Sequence, residues 1–224
     1  MVAGVDGCRG GWVVVHLADE AIVRVEVTTH LRALVDEVRA GRLAAAGIDM
    51  PIGLPHDRPR ASDRELRAWL GPRRSTVFPT PARAVLHAAD YGDALARNRH
   101  HLGVGLSKQS WNLVPKIGEL DKLMTPDLQP RVSEAHPESS FAAMNKGALT
   151  TRKVTPEGQT ERRALLGTHL RNPDALDTAD APVVDVLDAC AAAWTAHRVA
   201  TGTARWFGDL EARDAHGLRM TVAV

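Results

Sequence analysis

The sequence predicts an α/β protein with a mixed sheet flanked by helices, and three observations predict it. The chain opens on two apolar strands around a glycine-rich turn. A third, alternating strand is followed by a stretch of helical period. A short apolar strand then ends at Pro51, completing a strand–strand–strand–helix–strand unit. The chain has 224 residues, 44% of them hydrophobic, enough for one substantial core. One domain is expected over residues 1–224.

Val2 to Val5 and Trp12 to Leu17 form the first two strands, joined by Gly7-Cys8-Arg9-Gly10-Gly11, a loop rich in residues that tolerate positive φ. In Ile22 to Thr28, Ile22, Val23, Val25 and Val27 stand against Arg24 and Glu26, which reads as a third strand. Leu31, Leu34, Val35 and Val38 fall at helical intervals, and the helix stops near Gly41. "AAAGIDM", Ala44 to Met50, is the fourth strand. From His56 to about Pro130 the chain turns Arg- and Pro-rich, with helical patches at Asp63 to Leu70 and Pro81 to Arg97. It is expected to be a helical lobe inserted at 56–130. "RVSE", Arg131 to Glu134, reads as a fifth strand, Lys146 to Gln159 as loop, Glu161 to Leu170 and Val183 to Thr201 as helices. Gly217 to Val224 reads as a terminal strand.

The net charge is +1, but it is unevenly spread. His56 to Arg83 holds Arg58, Arg60, Arg64, Arg67, Arg73, Arg74 and Arg83 against Asp57, Asp63 and Glu65. Arg97, Arg99, Lys108 and Lys116 occur between Ala94 and Gly118 with no acid, whereas Asp174 to Cys190 holds Asp174, Asp177, Asp180, Asp185 and Asp188 with no base. A basic middle and an acidic end suit a protein that meets phosphates beside a carboxylate-bound cation. The plain alternative for any one run is a solvated face. Cys8 and Cys190 sit at no metal spacing and are too few for a disulfide framework, which fits a reducing cytoplasm. No basic n-region precedes the first strand and no apolar run approaches the length of a membrane span, so neither secretion nor a membrane is expected.

Carboxylates recur at the ends of core elements: Asp6 ends the first strand, Asp49 the fourth and Glu134 the fifth. In α/β sheets such ends converge on one rim, where ligands bind. Asp185 and Asp188 share a face near the start of the last long helix. Gathered together, these acids repel each other unless a hard divalent cation, Mg²⁺ or Mn²⁺, lies among them. That points to metal-assisted phosphoryl chemistry, in which ions activate water and stabilise the leaving oxygen. Taken singly, Asp6 serves equally to accept the turn's N–H groups, Asp49 to cap a loop and Asp185 to favour a helix start. His136 suits water positioning or leaving-group protonation, or else a turn held by Pro137. Glu138 suits an outer ligand role. Arg73, Arg74, Lys108 and Gln109 suit phosphate contacts, and Trp111 either base stacking or core. Cys8 reads as a small turn residue with no identifiable base to activate it. "GCRGG" is not a dinucleotide fingerprint and "GVGLSKQS" is not a phosphate-binding P-loop.

"GVDGCRGGW", "IDMPIGLP", "RRSTVFPTPAR", "GLSKQSWNLVPKI", "EAHPESSF" and "DVLDACAAAW" resemble, in that order, the DUF429 family of predicted nucleases with a ribonuclease H-like fold. The likeness runs from the N-terminus to about Arg198. The opening hairpin and last helix also resemble RuvC-type resolvases and the YqgF-type members of that superfamily. The resemblance implies a central five-stranded mixed sheet in 3-2-1-4-5 order and a metal-dependent nuclease acting on DNA or RNA. By motif it gives Asp6 the first-strand ligand role, Glu134 the acid before "HPE" and Asp188 the last-helix acid, with Asp185 its neighbour and Asp49 a fourth candidate. Two rival readings stand beside it. One is a non-catalytic nucleic-acid-binding or regulatory module on the same fold. The other is a phosphotransferase relative of the actin-like kinases, which place nucleotide between two such domains where this chain shows one hairpin motif.

Overall fold

A computed structural model describes residues 1–172 and 180–224; Asp174 and Asp177 of the acidic run lie outside the described residues. Strand β1 (Val2–Cys8) and β2 (Gly11–Ala18) form an antiparallel hairpin in register from Val2 opposite Leu17 to Cys8 opposite Gly11. Gly10 turns it at φ +85°. Strand β3 (Ala21–Thr28) continues antiparallel on β2. Helix α1 (Arg32–Arg39) then returns the chain so that β4 (Ala45–Ile48) lies parallel to β1, and β5 (Val132–Ala135) lies parallel to β4.

The expected five strands in 3-2-1-4-5 order are present, but among the described residues the sheet has seven. Its order is β3-β2-β1-β4-β5-β7-β6, with β6 (Trp206–Phe207) and β7 (Val222–Ala223) added beyond β5. Of the terminal stretch read as a strand, only Val222 and Ala223 pair, parallel to β5, and β6 pairs antiparallel to β7. Two-residue strands are shorter than one period of alternation can reveal.

Between β4 and β5 the chain is helical: α2 (Ala61–Leu70), 3₁₀ turns at Gly71–Thr76 and Arg83–His87, α3 (Tyr91–Leu102) and α4 (Lys108–Leu123). The helix expected over 81–97 is split, because Asp90 caps a new start by accepting from the Asp93 N–H at 2.9 Å. Helix α5 (Pro137–Met144) went unread, since nearly all of it is buried and it carries no polar stripe. Helix α6 (Pro156–His169) begins five residues before Glu161, inside the stretch read as loop. Thr155 caps it, its Oγ1 accepting from the Gly158 N–H at 3.1 Å, with Pro156 in the first turn.

Helix α7 (Val183–Ala200) crosses β1 and β4 at backbone distance, which the sequence permits through glycine on one side and alanine on the other. A Cβ on Gly4 would lie 2.0 Å from Ala193 N, and one on Gly47 would lie 2.4 Å from Ala192 O. Ala3, Val5, Ala46 and Ile48 point to the opposite face and pack with Leu34, Val35 and Val38 of α1 and Ile117, Leu120 and Leu123 of α4. The sheet is thus sandwiched between helices. Among the described residues no helix is long and apolar enough to cross a membrane.

Candidate functional site

Side chains two apart on a strand share a face. Asp6 therefore points to the same side as Gly4, and Asp49 to the same side as Gly47, which is the side α7 occupies. Asp49 follows β4 directly and extends its ladder, donating its N–H to Val5 O at 2.8 Å. Asp188 lies on α7 just before Ala189 and the run Ala191 to Ala193 that contacts the glycines. Close approach of helix to sheet brings the three acids together. One carboxylate oxygen each from Asp6, Asp49 and Asp188 lie within 4.8 Å of one another, and Asp6 and Asp188 are buried.

The electrostatics follow from that crowding. Burial, then the charges of Asp49 and Asp188, hold the Asp6 carboxyl well above the ordinary range. Burial and Asp188 push Asp49 up to about 7. Asp188 is raised by burial and held down partly by Lys153, whose Nζ lies 2.5 Å from its Oδ2. Burial works against the Lys153 charge, but Asp188 outweighs it and the ammonium is held above its usual range. One ammonium against three carboxylates leaves two negative charges uncompensated when all are ionised. Oxygen donors alone, in a buried group short of positive charge, fit a hard divalent cation.

The cluster opens into a cavity of about 220 Å³, whose lining also includes Glu134, Arg73 and His136. Glu134 does not join the three aspartates. Arg60 takes both its oxygens at 2.7 Å each, and the Ile52 N–H adds a third bond at 2.8 Å. Arg60 also binds Asp63, through Nε at 3.0 Å, so the guanidinium and two acids form a buried wall of the cavity. Asp185 lies one turn before Asp188, half-exposed and outside the cluster; burial raises its carboxyl and Lys153 and Lys116 oppose that.

Glu138 is buried and clamped by Arg162 at 2.8 Å and by Arg73 Nε at 2.7 Å. Burial raises its carboxyl, but the two arginines outweigh this and hold it below the usual range. His136 caps α5: its Nδ1 accepts from the Ser139 N–H at 3.2 Å and its Nε2 donates to Thr76 O at 3.2 Å. Both ring nitrogens are thereby engaged, and burial keeps the ring neutral by lowering its pKa. Arg74 is exposed and lines a neighbouring groove with Arg64 and Arg67, which shares Arg60 and Asp63 with the carboxylate cavity as a common wall. Lys108 and Gln109 are exposed at the start of α4 and line no part of the cavity. Trp111 is half-buried against the cluster of Ala82, Val85 and Leu106. Asp6 accepts the Gly7 N–H at 2.7 Å, so it also serves its own turn. Burial pushes the Cys8 thiol up, which keeps it unreactive.

Three further residues shape the site and went unsingled in the sequence. Lys153 lies in a polar loop without periodicity, and nothing local marks it. Arg60 is one of seven arginines in its stretch, and only tertiary pairing distinguishes it. Lys116 places its ammonium 4.4 Å from the Trp12 ring centroid and donates to Gly11 O, with its stem against Gly7.

A family model described as "Protein of unknown function (DUF429)" matches residues 4–212. No curated protein and no solved structure matches the chain.

Proposed function

The chain belongs to the DUF429 family, and we propose that it is a metal-dependent phosphodiesterase that hydrolyses DNA or RNA at the Asp6–Asp49–Asp188 cluster, on a ribonuclease H-like fold. The observation that carries the reading is the convergence of three carboxylates, two from neighbouring parallel strands and one from a helix, in a cavity walled by arginine. The core order β3-β2-β1-β4-β5 supports the fold. When bound among these acids, Mg²⁺ or Mn²⁺ supplies Lewis-acid stabilisation of charge on the phosphoryl oxygens.

The chain's own residues do the rest. Asp6 and Asp49 are held by the β1–β4 ladder and Asp188 by the packed α7, so the ligand oxygens need little reorganisation. Arg73, fixed through Nε by Glu138, lines the cavity and orients a non-bridging phosphate oxygen. The cavity, about 220 Å³ and lined by the three acids with Arg73, suits a phosphate and its cation. Recognition is therefore of the backbone, with the groove of Arg64, Arg67 and Arg74 carrying the flanking phosphates. Two free, buried cysteines accord with action in a reducing cytoplasm.

The test is cleavage of end-labelled single- and double-stranded DNA and RNA with Mn²⁺. We expect Asp6→Asn and Asp188→Asn each to lose about a hundredfold or more while keeping the wild-type circular dichroism spectrum. Failure of the wild-type protein to cleave any of these substrates would sink the nuclease reading in favour of the binding module.

A further inference from the structure

Three cations line the carboxylate cavity among the described residues: Arg60, Arg73 and Lys153. Arg60 is fixed by Asp63 and Glu134, and Arg73 by Glu138. Only Lys153 is bonded to the three-aspartate cluster itself, through Asp188 Oδ2 at 2.5 Å. Its charge is also felt by Asp6 and Asp49. The two partners differ in freedom. The Asp188 side chain is 2% exposed, whereas that of Lys153 is 45% exposed and reaches the cluster from its mouth.

The backbone at the root of that reach is anchored. Arg152 O accepts from both the N–H and Oγ1 of Thr155 at 3.1 Å, and Gly158 lets the same carbonyl pack against α6, since a Cβ there would lie 1.9 Å from it. Leu149, four residues before Lys153, is buried in the core under α7. Any displacement at this position therefore falls to the lysine stem, whose rotamers pivot on an anchored base.

We infer that Lys153 is a built-in counter-cation that competes with the divalent ion for the Asp6–Asp49–Asp188 cluster and is displaced toward the cavity mouth when that ion binds. The inference rests on the metal-site reading above. A monovalent ammonium bonded to a would-be ligand neutralises part of the charge that attracts the ion, and the ion's arrival repels the ammonium in turn. The two effects are reciprocal by linkage. Such a device holds the acid cluster together without metal and sets a threshold of metal concentration for loading. It also delivers a freed ammonium to the entrance through which a phosphate must pass.

The test is Mn²⁺ titration calorimetry on the full chain and on the Lys153→Met and Lys153→Arg variants, without nucleic acid. Lys153→Met is expected to bind Mn²⁺ about tenfold more tightly than wild type, and Lys153→Arg within about twofold of it. Should Lys153→Met fail to fold, the wild-type protein decides the matter alone. Reductive methylation read by peptide mass spectrometry should label Lys153 several-fold faster with saturating Mg²⁺ than without, while Lys108 labels equally in both. Unchanged or weaker Mn²⁺ binding by folded Lys153→Met, or Lys153 labelling indifferent to Mg²⁺, overturns the inference and leaves the metal site standing. Absence of Mn²⁺ binding by the wild-type protein overturns the metal reading and this inference together.

Discussion

At the scale of single residues, the carboxylates divide by partner. Glu134 and Glu138 have arginines and are satisfied within the protein, whereas Asp6, Asp49 and Asp188 share one lysine. A carboxyl whose folded pKa is raised favours the fold below its unfolded pKa, and that contribution is lost as pH rises through the folded value. With Asp49 pushed up to about 7, its metal-free contribution to stability is full below about pH 4 and is lost as pH rises from there through about 7. Ligand carboxylates must be deprotonated, so the ion gains what the apo fold loses. We expect the Mn²⁺-induced rise in Tm to be larger at about pH 8 than at about pH 6, and Asp49→Asn to shrink the difference. A rise independent of pH in the wild type would contradict this account. The Arg60 pairs behave oppositely, as structure. Arg60→Met strands Glu134 and Asp63 in the interior, with an expected cost of about 3–5 kcal/mol in urea unfolding. The residue types of the cluster were legible as acids at strand ends. Sequence distance hid that Glu134 is already paired, because its partner lies 74 residues away.

At the scale of elements, the decisive contact is α7 on β1 and β4. The alanine run of α7 and the two strand glycines are complementary: each gives up side-chain volume so that backbones meet and the aspartates one turn away converge. Gly47→Ala places a methyl 2.4 Å from a carbonyl oxygen and must push the helix outward. We expect a loss of about 3 kcal/mol or more in stability. Any folded fraction should bind Mn²⁺ more weakly, because Asp188 retreats with the helix. Thermal melts and calorimetry on one preparation separate the two effects. Elements with strong periodicity, such as α1 and the first three strands, were readable from local pattern. Helix α5 was not, because burial on all sides erases the stripe that marks a helix, and α6 was placed late because its Thr155–Pro156 start signal sits inside a polar stretch.

At the scale of the whole molecule, the arginines counted in sequence as one basic run serve separate ends. Arg60 and Arg83 are spent on buried acids, Arg67 donates to Val77 O, and Arg64 and Arg74 line the groove beside the carboxylate cavity. If that groove tracks a nucleic-acid backbone, the Arg64→Ala/Arg74→Ala variant should reduce the salt dependence of oligonucleotide binding by about two ion equivalents at most. Its Mn²⁺ affinity should stay at the wild-type value, and an unchanged salt slope would remove the groove from the binding surface. The α/β class, the hairpin opening, the acids at the ends of strands and the last long helix were readable from the chain alone, because each is written in local periodicity or residue type. Which three acids meet, which are consumed by arginine and that Lys153 stands among them emerge only in three dimensions. Those are facts of distance between residues far apart in the chain, fixed by how closely α7 can approach the sheet.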